Sequence, residues 1–281
     1  MDERHEGATP DALRADDVDA DLSRPNPARI YDYALGGFAN FVADRAAFEA
    51  LVDTYPDAQH APRANRAFLR RAVTFLARQG IDRFLDIGSG LPTAGNAHEA
   101  AQRVNPKARV VYVDNDPVAV DYSQDILARE GPDRVAAIEA DLRDPAAILS
   151  HRETRRLLAG RRPVALLLAA VLPFLPDDDE ARHAVRTLTA ALPAGSYLVI
   201  THGTYDGVPA GTLAQFTRLY ERTTSPLVFR PRAMIEGFFD GFELVEPGLV
   251  FVSAWRPDDP RAPFHDEPER AAIVGAVGRK L

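Results

Sequence analysis

From residue 81 onward the chain alternates short apolar runs with amphipathic segments, and this alternation limits its possible folds more than any other feature. The runs are Arg83–Ile87, Arg109–Val113, Val135–Glu139, Val164–Leu168 and Tyr197–Thr201. They are rich in Val, Ile and Leu, as strands covered on both faces are. Between them, Thr93–Val104, Val118–Arg129, Pro145–Leu158 and Asp178–Leu192 read as helices. Parallel strands need a crossover, and a helix supplies it, so the pattern predicts a doubly wound α/β sheet. Further on, Thr212–Glu221 and Arg232–Phe239 read as helices. Phe242–Val252 and Ala271–Gly278 read as a closing pair of strands, joined across a long loop, Arg256–Glu269.

Residues 23–80 read as helical. Ser23 is positioned to cap a turn before Pro25 and Pro27, Ile30, Tyr33 and Ala34 share a spacing, and Gly36-Gly37 ends the run. Asn40–Val52 and Arg63–Gln79 follow, with Gly80 as terminator. Residues 1–22 hold eight acids and two arginines and few large apolar side chains, which predicts a disordered tail. The chain thus divides into an acidic tail (1–22), a helical cap or lid (23–80) and a sheet domain (81–281). The tail carries most of the net charge of −8, and the nearly neutral remainder has no basic footprint for nucleic acid. There is no cysteine, which excludes disulfides, thiolate metal sites and thiol nucleophiles. No histidine pair stands at ligand spacing, so no metal site is expected. The longest apolar run, Val164–Leu172, is too short to span a bilayer, and the first residues are polar. The expected setting is cytoplasmic, without a membrane partner. The oligomeric state is not legible.

The chemistry gathers at strand ends. Phe84-Leu85-Asp86-Ile87-Gly88-Ser89-Gly90 is an apolar strand running into an acid and a Gly-x-Gly turn. Glycines there let the backbone approach a ligand. A carboxylate at that turn suits a cationic or hydroxyl-bearing ligand, not pyrophosphate. The third glycine of a dinucleotide fingerprint is replaced by Thr93. The next strand ends in Asp114-Asn115-Asp116, where a carboxylate is well placed to accept the hydroxyls of a ribose. The third ends in Asp141-Leu142, where an acid is able to accept from an adenine amino group. Asp116, before Pro117, reads as a helix cap.

These motifs resemble the class I S-adenosylmethionine-dependent methyltransferases, and in particular the actinobacterial S-adenosyl methyltransferase family. The matching stretches are residues 24–45 (RPNPARIYDYALGGFANFVADR), 84–102, 110–120, 139–145 and 238–258. The resemblance implies a Rossmann-like sheet of about seven strands, the last antiparallel, behind an N-terminal helical layer. It implies S-adenosylmethionine as cofactor and S-adenosylhomocysteine as product. Asp86, Gly88 and Gly90 would then line the methionine and ribose end, Asp114 with Asn115 the ribose, and Asp141 with Leu142 the adenine. Pro92-Thr93 departs from the broader class, which often has another glycine there.

The segment Tyr31–Asn40 combines aromatic, acidic and glycine residues. It reads either as a lid, with Tyr31 and Gly37 touching the cofactor, or as a helix packed on the sheet edge. Methyl transfer requires alignment and a dry site, and a base only for a protonated acceptor. His202, Tyr31 and Asp32 are the candidate catalytic groups, with a structural role for His202 as the alternative. The fourth strand ends in Ala169–Phe174, without the Asn/Asp-Pro-Pro-aromatic motif of nucleobase amino-methyltransferases. The sequence therefore points to a methyltransferase acting on a small or medium organic acceptor. Two other readings stay open: a non-catalytic S-adenosylmethionine-binding regulator, and a nicotinamide-dependent oxidoreductase. Asp86, Thr93 and Asp141 count against the last. Trp255 reads as a packed loop anchor.

Overall fold

The five apolar runs become the parallel strands β1 (Arg83–Ile87), β2 (Arg109–Asp114), β3 (Val135–Glu139), β4 (Ala165–Ala169) and β5 (Tyr197–Gly203). The computed structural model describes residues 22–91, 95–130, 134–208, 214, 220–221 and 223–281. Nearly all of the expected tail, the Pro92-Thr93 turn and most of the expected helix Thr212–Glu221 lie outside the described residues. Strand order across the sheet is β3-β2-β1-β4-β5-β8-β6, where β6 is Phe242–Leu244 and β8 is Ile273–Lys280. Strand β8 runs antiparallel between β5 and β6, and the two-residue β7 (Val250–Phe251) also pairs with it. The expected strand Phe242–Val252 is therefore two short pieces. Pro247 and Gly248 lie between them, and proline offers no N–H to a ladder.

Side chains leave the strands alternately to two cores. Leu85, Val111, Leu166 and Leu198 face a layer that holds Ile148, Leu157, Val185 and Leu188. These last belong to helices α6 (Pro145–Ser150), α7 (Arg152–Leu158) and α8 (Asp178–Ala190). The expected single helix Pro145–Leu158 breaks at His151, whose extended backbone and Nδ1, accepting from Glu153 N–H, start α7. On the other face, Phe84, Val110, Leu167 and Val199 pack against α3 (Ala61–Arg78) and α4 (Ala97–Val104). Helix α5 (Pro117–Glu130) follows β2, and α9 (Arg232–Glu236) follows β5. Trp255 is fully buried, edge-on to Phe68 and Phe75, as a loop anchor.

Helix α3 thus belongs to the sheet's own covering layer. Helices α1 (Pro27–Ala34) and α2 (Val42–Thr54) instead fold over the strand ends. The cap of α1 is Asn26, which accepts from the N–H groups of Ala28 and Arg29, not Ser23. A buried ion cluster ties this region to the sheet. Arg29 pairs with Asp44 of α2 at 3.2 Å and lies 3.8 Å from Asp116, which caps α5 through Val118 N–H. Among the described residues no helix is long and apolar enough to cross a membrane.

Candidate cofactor and acceptor site

Strand order reverses at β1, which lies between β2 and β4, and the crevice at the carboxyl ends of such strands is where an open α/β sheet binds ligands. A cavity of about 240 Å³ opens there, roofed by α1, α2 and the start of α3. Asp86, Gly88, Gly90, Asp114, Asn115, Asp141, Leu142 and Tyr31 all line it. The structure therefore brings together the strand-end residues selected from the sequence.

The turn after β1 needs its glycines. Gly88 has φ +69°, and a Cβ there would lie 2.2 Å from Val171 Cγ2 at the end of β4. Gly90 has φ +61° and donates its N–H to Asp114 Oδ2 at 2.7 Å. Asp114 also accepts from Asp116 N–H at 3.0 Å. Burial nevertheless pushes it up to about 6, against these N–H groups.

Asp86 is 3 % exposed, and no described residue donates a hydrogen bond to its carboxyl. Burial raises it to about 7; the charge of Arg66 acts against this and that of Asp114 with it. Arg66 and Asn65, both on α3, line the same end. Asn65 Nδ2 donates to the Tyr31 hydroxyl at 3.0 Å, while its buried Oδ1 accepts no hydrogen bond from the described residues. Tyr31 donates to the Pro62 carbonyl at 3.0 Å, and the Arg66 guanidinium lies over its ring. Asp86, Asn65 and Arg66 thus line one cavity, with the Arg66 charge acting on the Asp86 carboxyl. Buried polar groups of this kind are ordinarily satisfied, so the set suits a ligand end that carries both an ammonium and a carboxylate.

Asp141 is more committed. Arg143 grips it with Nε and Nη2 at 2.6–3.0 Å, and Asn115 Nδ2 donates at 3.3 Å. Burial pushes this carboxyl up, but those bonds outweigh it and hold it below the usual range.

Three selected residues face elsewhere. Asp32 is buried against Asn40, whose Nδ2 donates to it at 2.8 Å, and it does not line the cavity. Gly37 sits on that carboxylate, and a Cβ there would be 1.9 Å from Asp32 Oδ1. His202 is fully buried behind the cavity wall. Its Nδ1 lies 2.7 Å from the Gly203 carbonyl, which can only accept, so that nitrogen carries the proton. Nε2 then accepts from Arg230 at 2.9 Å. Burial lowers His202 to about 3, with the Arg230 charge acting the same way against the Gly203 bond. The imidazole is a neutral structural bridge, not a base at the crevice.

Comparison with known proteins completes this geometry. Residues 13–281 match the model of a family described as S-adenosyl methyltransferase. The chain belongs to that family. A crystal structure from Streptomyces avermitilis, of a DUF574 family protein, shares 44 % identity over 93 % of this chain and 99 % of that one, with a TM-score of 0.86. A protein of Thermobifida fusca, provisionally assigned as a methyltransferase, shares 41 % identity over 92 % of this chain and 96 % of the other, at TM-score 0.85. No curated protein matched. The chain is thus an S-adenosylmethionine-dependent methyltransferase with a class I sheet. The buried Asp86 and Asn65, with the half-buried Arg66, fit the zwitterionic end of such a cofactor. Sequence reading missed Asn65 and Arg66. The available signal was a polar Asn65 four residues before Leu69, on an otherwise apolar helix stripe.

Proposed function

We propose that S-adenosylmethionine lies along the ends of β3, β2 and β1, with its methyl group turned toward β4 and a small organic acceptor. The observation that carries this is Asp86, a buried carboxyl that accepts no hydrogen bond from the described residues and lines the cavity together with Asn65 and Arg66. Asp86 and Asn65 take the ammonium, and Arg66 takes the carboxylate. Asp114, with Asn115 beside it, accepts the ribose hydroxyls, and Gly88 and Gly90 admit the chain between them. Asp141 with Leu142 borders the adenine. Tyr31 closes the roof.

When bound, the cofactor supplies an electrophilic methyl carbon on a sulfonium. The protein aligns the acceptor and excludes water. Helices α1 and α2 serve as the cap, the region from 81 onward as the binding domain, and residues 1–22 as a tail outside the chemistry. The nearly neutral charge of residues 23–281 supports a small acceptor over nucleic acid.

Calorimetry with S-adenosylhomocysteine and NAD tests the site. Binding of S-adenosylhomocysteine alone is expected, and Asp114→Ala should weaken it by about tenfold or more with little loss of stability. Binding of NAD alone would overturn the reading. Incubation with labelled S-adenosylmethionine and a metabolite extract should yield a labelled small molecule; tight binding with no transfer would favour a regulator.

A further inference from the structure

The cavity changes character where the sheet passes β1. Its charged lining residues, Asp86, Asp114, Asp141, Arg143 and Arg66, belong to the ends of β1, β2 and β3 or face Asp86 from α3. Beyond β1 come β4, β5 and β8. There the lining includes Val171, Phe174, Leu227, Phe229 and Ile273, and among the described residues it holds no charged side chain. Polar side chains there include the hydroxyls of Tyr55, Ser225 and Tyr220. Burial pushes the Tyr220 hydroxyl up to about 12.

Aromatic rings build this wall. Tyr220 tilts against Phe174 with ring centroids 5.9 Å apart. Phe229 packs so closely on Gly203 that a Cβ there would be 3.0 Å from the ring. Such a surface gains from apolar contact and offers offset or edge-on partners to a further ring. A ligand charge would lose its water there and meet no charged side chain among the described lining residues.

We propose that this half is the acceptor site, and that the acceptor is an uncharged, predominantly apolar molecule carrying an aromatic ring. The assignment rests on the cofactor reading for the other half.

Two fluorescent probes that differ by one sulfonate test it: neutral N-phenyl-1-naphthylamine and anionic 8-anilino-1-naphthalenesulfonate. Each is titrated into the full chain saturated with S-adenosylhomocysteine, whose own binding is measured by calorimetry. The neutral probe should bind saturably, about tenfold tighter than the sulfonate. Leu227→Asp and Phe174→Asp should each weaken it by about tenfold, with S-adenosylhomocysteine affinity held within about twofold as proof of folding. Equal or tighter binding of the sulfonate overturns the proposal and leaves the cofactor reading intact. So does neutral-probe affinity unmoved in whichever variant retains S-adenosylhomocysteine. Binding of the neutral probe to the cofactor-free chain but not to the chain saturated with S-adenosylhomocysteine would merge the two halves and also overturn it. Failure of the unsubstituted chain to bind S-adenosylhomocysteine would overturn the cofactor reading instead, and remove the basis for this one.

Discussion

Asp86 works against the fold that carries it. Burial raises its carboxyl from 3.8 to about 7. A carboxyl raised on folding contributes stability that is complete below its unfolded value and is lost as pH rises through about 7. Cofactor binding has the opposite sign, because an ammonium needs the anion. Affinity for S-adenosylhomocysteine should therefore climb between pH 6 and pH 8, roughly the window centred on that value. Asp86→Asn should raise the melting temperature at pH 8 by about 2 °C or more, while weakening S-adenosylhomocysteine by about tenfold or more. Scanning calorimetry and titration check the two halves. His202 gives the converse case. His202→Ala removes one of two hydrogen bonds at Arg230 Nη1, which keeps the Leu172 carbonyl, and one of two at the Gly203 carbonyl, which keeps Arg230 N–H, and it opens a buried cavity. It should cost about 2–3 kcal/mol in urea unfolding and leave S-adenosylhomocysteine affinity unchanged; a selective loss of transfer at full stability would restore it as a catalytic group.

At the level of elements, the site depends on how closely its turns approach one another. The turn after β1 meets the end of β4 through Gly88 and Val171. Gly88→Ala introduces both a 2.2 Å clash and a strained positive φ. It should destabilise by about 2–4 kcal/mol, and Val171→Ala in the same chain should recover about half, because the clash goes and the backbone strain stays. The roof is joined to the cofactor turns through Arg29, buried between Asp44 and Asp116. Arg29→Ala leaves two buried carboxylates unpaired and should cost about 3–5 kcal/mol. S-adenosylhomocysteine affinity should fall with it, since Asp116 N–H holds Asp114.

For the whole molecule, the sheet order is what turns separated segments into one cavity. Residues from position 26 to position 273 line it, and β8 returns from the end of the chain to lie beside β5. The acidic residues 1–22 carry six of the eight net negative charges. Their removal should leave melting temperature and S-adenosylhomocysteine affinity unchanged. A drop in either would place that segment in the fold.

Much of this was readable from local pattern. Apolar runs, helix spacing, the Gly-x-Gly turn and acids at three strand ends depend on residues a few positions apart. Hence the five parallel strands, the crevice that holds Asp86, Asp114 and Asp141, and the capping role of Asp116 follow from the amino-acid sequence itself. The direction in which a side chain faces does not. Tyr31 and Asp32 are neighbours on α1, and successive helical residues point about 100° apart, so one reaches the cavity and the other meets Asn40. His202 ends up behind the wall because Arg230, 28 residues away, closes over it. Asn65 and Arg66 join Asp86 only because α3 packs across β1. These outcomes rest on contacts between distant segments, whose energies no local periodicity records, and only the tertiary structure decides them.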